Sequence, residues 1–131
     1  MSKIDWMDVL GWTEDQISDI RYAGFSFVRQ GQYLTALKFF EVLAILPSCT
    51  AYDLQTLGSI YLELGNNLSA LNYLEKSIAL EPNHEPTLIN RTKALLLLGY
   101  KKQGLGQAAL LEKSSNPYIA NQAKALTLAN I

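Results

Sequence analysis

The chain has 131 residues, 49% of them hydrophobic, with eleven Lys and Arg against twelve Asp and Glu and a net charge of -1. That length suits one domain spanning 1–131, and the charge balance excludes a broad basic footprint for nucleic acid or an anionic membrane. The single Cys49 can form neither an intramolecular disulfide nor a zinc site, which fits a reducing, cytoplasmic setting.

The opening MSKIDWMDVLGW breaks its apolar residues with acids, so it lacks the basic segment and continuous apolar core of a secretory signal. No run in the chain approaches the roughly 18 apolar residues of a membrane span. Residues 4–10 form a short amphipathic stretch, read as an N-terminal helix; Trp6, Met7 and Leu10 on it either pack against the first hairpin or contact a partner. Thr13 with Gln16 fits a capping box that opens the next helix.

From there the pattern repeats. Residues 17–31 hold Ile20, Ala23, Gly24, Phe27 and Gly31, and residues 33–46 carry Ala36, Phe40 and Leu43. Residues 51–64 place Leu54, Leu57, Tyr61, Leu62 and Leu64 at helical spacing. Gly65 then supplies the left-handed geometry a helix end needs. Asn67 is expected to cap the following helix, whose apolar face is Leu71, Leu74, Ile78 and Leu80, and Pro82 stops it. Gly58 and Ala70 lack bulk, so the two helices can approach closely. Residues 85–99 repeat the plan with Pro86, Leu88, Leu95 and Gly99, but Arg91 and Thr92 replace the Leu57–Gly58 pair and Gly104 replaces Ala70. A loosened third hairpin is expected. Asn116 and Pro117 begin a last helix through about Ala129, with Ile119, Ala123, Leu126 and Leu128 apolar, read as a cap on the stack.

The spacing is regular: Gly31, Gly65 and Gly99 lie 34 residues apart, as do Gly24 and Gly58, and Ala36 and Ala70. Pro47, Pro82 and Pro117 follow at 35. A period in this range with helical patterning inside it marks a stacked helical array. The predicted fold is all-α: an N-terminal helix, three hairpins over about 17–50, 51–84 and 85–118, and a C-terminal capping helix at 117–130.

Few residues support chemistry. The only histidine, His84, falls in an inter-repeat turn and reads as a solvated turn residue; alone, it cannot build a two-histidine metal site. Gly104 and Gly106 make only a GxG fragment, with no phosphate loop. Glu14, Asp15 and Asp19 sit near a helix start, where negative charge suits the helix dipole, and Asp53 repeats that role. Lys101 and Lys102 read as a solvated pair in a turn. An enzyme is not expected, nor a cofactor or a metal.

Leu54, Leu57, Gly58, Tyr61, Ala70, Leu74 and Pro82 resemble the W-x2-L-G-x2-Y, A-x3-F and P pattern of the tetratricopeptide repeat family, with Leu in place of the Trp and the Phe. The resemblance covers about 17–118 and implies a right-handed superhelix whose concave side is lined by the first helix of each pair. Three units in a chain of this length, GFSFVRQGQYLTALKFFEVLAIL in the first and VLGWTEDQISDI before it, are similar to type III secretion chaperones of the LcrH and SycD kind, or to the related YscG and PscG kind. The former hold hydrophobic translocators in the bacterial cytoplasm, the latter a needle subunit.

The resemblance lays a partner-binding groove along Arg21, Tyr22, Phe25, Val28 and Arg29 in the first unit. It continues through Tyr52, Gln55, Thr56, Ser59, Leu62 and Glu63 in the second, and Ile89, Asn90, Lys93, Leu96 and Leu97 in the third. Such a face suits an extended or helical apolar segment, with aromatic anchors supplying most of the affinity. Family members that clamp C-terminal carboxylates need polar or basic groups where this chain has Phe25, Thr56 and Pro86, which argues against that mode. The function implied is a cytoplasmic chaperone, virulence-associated in bacteria, binding a secreted translocator or needle subunit, with a co-chaperone and a homodimer through the N-terminal helix as further partners; the alternative is a scaffold joining protein partners permanently.

Overall fold

The computed structural model describes residues 11–131. The N-terminal helix expected at 4–10, with Trp6, Met7 and Leu10, lies outside the described residues. Among the described residues seven helices follow in order: α1 (Glu14–Arg29), α2 (Tyr33–Ala44), α3 (Ala51–Glu63), α4 (Asn67–Leu80), α5 (Glu85–Leu97), α6 (Lys101–Leu111) and α7 (Pro117–Asn130). Each packs on the next, pairing as hairpins α1/α2, α3/α4 and α5/α6, while α7 lies against both α5 and α6.

The helix starts follow from their caps. Thr13 and Gln16 form the expected capping box, and Thr50 with Asp53 forms a second at α3. At α4 the cap is Asn66, whose side chain accepts from the Ser69 N–H at 3.3 Å. Asn67, expected to do this, is instead the first helical residue, and its buried Oδ1 has no hydrogen-bond partner among the described residues. Each hairpin turns at a glycine with positive φ, and at Gly65 (φ 79°) the Asn66 N–H reaches back to Tyr61 O at 2.9 Å, closing the turn in the Schellman manner.

Inside the hairpins, close approach is a matter of matched volumes. A Cβ on Gly58 would stand 2.7 Å from Leu74 Cγ and 3.3 Å from Ala70 O, and one on Gly24 would stand 2.7 Å from the Phe40 ring. The corresponding positions of the third hairpin carry Thr92 and Ala108, both fully buried. The first helix has gained bulk there and the second has lost it. Gly104 accepts the Leu96 side chain, since a Cβ at Gly104 would meet Leu96 Cδ2 at 2.6 Å. The third hairpin is therefore repacked rather than loosened, which corrects the sequence expectation. Lys101 and Lys102, expected in a turn, form the exposed first residues of α6.

Two apolar clusters result. Ile17, Ala36, Phe40, Leu43, Leu46, Leu57 and Ile60 fill the first two hairpins, and Ile89, Leu111, Ile119 and Ala123 seal the third against α7. Leu128, expected on the buried face of α7, is exposed.

Polar ties reinforce the stack. The Arg21 guanidinium grips Asp53 with two bonds, Nε to Oδ1 at 2.7 Å and a terminal nitrogen to Oδ2 at 2.8 Å, while Asp53 also accepts from the Thr50 N–H. Asp53 is 1% exposed, so a residue expected only to favour a helix dipole also joins the first repeat to the second. The Ser77 hydroxyl donates to Ala51 O at 2.8 Å within the second hairpin. The Tyr61 hydroxyl donates to Glu41 at 2.8 Å, and its ring stacks on Tyr73.

Two acids beside these ties are held protonated. Burial pushes the Cys49 thiol from 9.0 to about 11, with the Asp53 charge adding to the rise and Arg21 opposing it. Burial, then the hydrogen bond to Glu41, pushes the Tyr61 phenol from 10.0 to about 12. A neutral acid whose folded pKa lies above its unfolded value contributes stability below the unfolded pKa and loses it as pH rises through the folded one, here from about pH 9 upward. The urea midpoint should fall between about pH 8 and about pH 11, and fall less in the Cys49→Ser, Tyr61→Phe double variant. An equal fall in both proteins would contradict this account.

Candidate functional site

The first helices α1, α3 and α5 share one face, and two concavities run along it. The one between α1 and α3, about 360 Å³, is lined by Phe25, Val28 and Arg29 on one side and by Tyr52, Gln55, Thr56 and Ser59 on the other. The one between α3 and α5, about 240 Å³, is lined by Ser59, Leu62 and Glu63 facing Asn90, Lys93 and Leu97. Ser59 lines both, so the two concavities adjoin at its side chain.

The first half is aromatic. The Phe25 ring sits edge-on to buried Phe40, with centroids 5.0 Å apart, and lies 5.3 Å from the ring of Tyr52. The core thus fixes Phe25, and Phe25 in turn supports the more exposed Tyr52. The floor hydroxyls are turned inward. Thr56 donates to Tyr52 O at 2.8 Å and Ser59 to Gln55 O at 3.0 Å, each spending its proton one helical turn back. The second half is more polar, with the Lys93 ammonium, the Glu63 carboxylate and the Asn90 amide around Leu62 and exposed Leu97. Asn90 Nδ2 donates to Ser59 Oγ at 2.9 Å, spanning the two repeats. Such a surface offers apolar contact and hydrogen bonds to a chain laid along it.

Four of the residues expected in the groove are placed elsewhere. Arg21 is committed to Asp53, and that hydrogen bond raises its pKa against the opposing effect of burial. Ile89 is 2% exposed because α7 covers it in the second apolar cluster. Leu96 packs into the space left by Gly104. Tyr22 lines neither concavity; it is exposed, with the Arg29 guanidinium 5.8 Å from its ring centre. Phe25, Val28, Arg29, Tyr52, Gln55, Ser59, Leu62, Asn90 and Lys93, which the family resemblance set on one face, line the two concavities, with Thr56, Glu63 and Leu97 beside them.

His84 is half-buried, with Nδ1 2.7 Å from Thr87 Oγ1, so it is a bonded helix-start residue and not the solvated one expected. Sequence reasoning missed a second depression of about 230 Å³ lined by Trp12, Ile20, Lys38, Phe39 and Val42, on α1, α2 and the segment before them. The repeat pattern carried no signal for it, because Trp12 lies before the first unit. Among the described residues no helix is long and apolar enough to cross a membrane, and no group of three or more His, Cys, Asp or Glu is arranged to hold a metal.

No protein-family model matches the chain, and no curated protein matches it in sequence. Solved structures do match. PcrH in complex with the chaperone binding region of PopD is 23% identical, with 91% of this chain and 93% of that one covered and a TM-score of 0.78; uncomplexed PcrH is from Pseudomonas aeruginosa. The type III secretion chaperone SycD of Yersinia enterocolitica, in complex with a peptide of the translocator YopD, is 16% identical, with 91% and 98% covered and a TM-score of 0.76. The first tetratricopeptide repeat domain of Spaghetti (RPAP3), bound to the HSP90 peptide SRMEEVD, is also 16% identical, with 89% and 94% covered and a TM-score of 0.76. The fold is all-α, as the repeat spacing predicts, and of tetratricopeptide type, as the resemblance implies.

Proposed function

We propose that this chain is a cytoplasmic chaperone of a type III secretion system, holding an apolar segment of a secreted translocator in the α1/α3/α5 groove so that the segment neither aggregates nor inserts before export. The observation that carries the reading is the pair of adjoining concavities on α1, α3 and α5, with an aromatic wall at Phe25 and Tyr52 and polar groups toward Asn90 and Lys93. Burying an exposed apolar segment there removes it from water without any need for a nucleotide. The likeness to PcrH and SycD, whose structures hold PopD and YopD segments, supports a translocator over a needle subunit.

The likeness to the HSP90-peptide-binding domain is equally close in fold, so the groove chemistry separates the two readings. A clamp for a C-terminal carboxylate needs cations and amides. Of the positions concerned, Phe25 and Pro86 are apolar, and the Thr56 hydroxyl donates to Tyr52 O at 2.8 Å. A translocator segment suits this groove better than an acidic C-terminus.

Co-expression with type III translocators and needle subunits of the organism that encodes this chain tests the proposal. The translocator should co-purify and remain soluble; if no secretion-system subunit is retained, the chaperone reading fails. Tyr52→Glu and Leu62→Glu should each weaken capture by about 30-fold, the order of a lost hot spot, with helicity unchanged. Phe25→Glu is a poorer probe, because Phe25 contacts the core at Phe40. Undiminished capture by both variants would place the client away from the groove.

A further inference from the structure

The edge of the stack where each hairpin turns carries apolar side chains that the packing of the stack does not use. Leu34 and Leu68 are the second residues of α2 and α4, 34 positions apart in the chain, and they are 70% and 59% exposed. Leu64, the C-cap of α3, stands beside the preceding turn. With Gly31, Gln32, Tyr33, Leu34 and Thr35 it lines a depression of about 330 Å³. Leu98, the C-cap of α5, holds the matching place in the next repeat, and exposed Tyr100 follows it. An apolar strip thus crosses all three hairpins, and none of its residues lines either concavity of the groove.

The far end of the strip is basic. Lys101 and Lys102 open α6, with Lys102 at the repeat position of Leu34 and Leu68, and among the described residues neither is paired with a carboxylate. A cation in the first turn opposes the helix macrodipole, so the stack gains nothing from either lysine. The first turns of α2, α4 and α6 also hold no acid, although that position favours one. Acids gather instead at the opposite edge, where Glu14 and Asp15 open α1, Glu85 opens α5, and Glu81 and Glu112 follow α4 and α6, with Lys113 among them. Of the other charges near the hairpin turns, Arg29 lies against the Tyr22 ring and Glu63 lines the concavity that also holds Lys93.

Leucines that run into unpaired lysines match a segment of complementary make-up, apolar side chains running into carboxylates. Two lysines in a chain of net charge -1 fall short of the cluster of about four to eight cations that recognises an anionic bilayer. We propose that the hairpin-turn edge is a second docking surface, which takes an acidic amphipathic segment of a partner protein. The segment sets its apolar side chains on Leu34, Leu64 and Leu68 and its carboxylates on Lys101 and Lys102. Because this edge and the groove share no lining residue, a chain with a filled groove can still be held by the second protein. Docking there is independent of what the groove binds.

The test uses the full chain and a synthetic amphipathic helix whose leucine stripe runs into a row of glutamates, with a lysine-ended copy and a leucine-free copy as controls. Wild type should prefer the glutamate peptide to either control by about 10-fold. Its preference over the lysine-ended copy should shrink between about 0.05 and 0.5 M NaCl. Leu34→Glu and Leu68→Glu should each weaken binding of the glutamate peptide by about 10-fold. Both put an acid where a helix start favours one, so the urea midpoint should hold or rise. Lys101→Glu combined with Lys102→Glu should reverse the preference toward the lysine-ended peptide, and Tyr52→Glu, in the groove, should leave it unchanged. Loss of binding in Tyr52→Glu would place the peptide in the groove and overturn the edge. So would absent or equal binding of the three peptides by wild type, full affinity in the leucine variants, or a lowered urea midpoint in them. Tighter attachment to phosphatidylserine vesicles than to the peptide, or a wild-type dimer that the leucine changes dissolve, would overturn it in favour of a membrane or a second copy. None of these results bears on capture of a translocator, so the edge and the groove fail separately.

Discussion

Arg21→Met should lower the unfolding free energy by about 3 kcal/mol, because it strands a carboxylate in a site that water does not reach. Asp53 is 1% exposed, and in the variant its only remaining hydrogen bond would be from the Thr50 N–H. Asp53→Ala should cost somewhat less: Arg21, 25% exposed, can turn to solvent, although the α3 capping box loses about 1 kcal/mol with it. The double replacement Arg21→Met, Asp53→Leu should recover most of the loss from the first, since an apolar pair of similar volume carries no desolvation penalty. Urea titrations of the four proteins measure all three terms. A single Arg21→Met variant within about 0.5 kcal/mol of wild type, the usual range for surface changes, would mean that the pair is solvated and that apolar contact alone holds the first two repeats together.

The second large effect concerns the matched volumes. Leu74→Ala should cost about 3 kcal/mol through the cavity it leaves at a fully buried position. Gly58→Thr should cost about 2 kcal/mol by forcing its side chain onto Leu74. Together they recreate the Thr92 and Ala108 arrangement of the third hairpin. The combined loss should fall short of the sum by about 2 kcal/mol, a coupling typical of residues in direct contact. Additive losses would show that the third hairpin tolerates Thr92 for some other reason, such as the bonds its hydroxyl makes to Leu88 O and Gln107.

The repeat spacing was enough to read the hairpins and the turn glycines, because each depends on position within a 34-residue period, and the family resemblance supplied nine residues that line the two concavities. What it could not convey depends on side chains reaching between periods. Arg21 and Asp53 lie 32 residues apart, two short of a repeat, and only the stacking of α1 on α3 makes them partners. A cation and an acid offset in this way are the one sequence sign of such a pair. Ile89 and Leu96 carry the periodicity of groove residues, but α7 covers the first and Gly104 admits the second. The arrival of a helix from outside the repeat changes what a repeat position means. Asn66 and Asn67 are chemically identical neighbours, and only the path of the turn decides which of them reaches Ser69.

The exchange of bulk between the helices of the third hairpin also limits how such a gene can be shuffled. A crossover joining α3 to α6 would set Gly58 opposite Ala108 and leave a hole, while one joining α5 to α4 would drive Thr92 into Leu74. Recombination that moves a whole hairpin avoids both faults. The smallest unit that can be exchanged without a packing fault at these positions is therefore the pair of helices, whatever the boundaries of the sequence repeat.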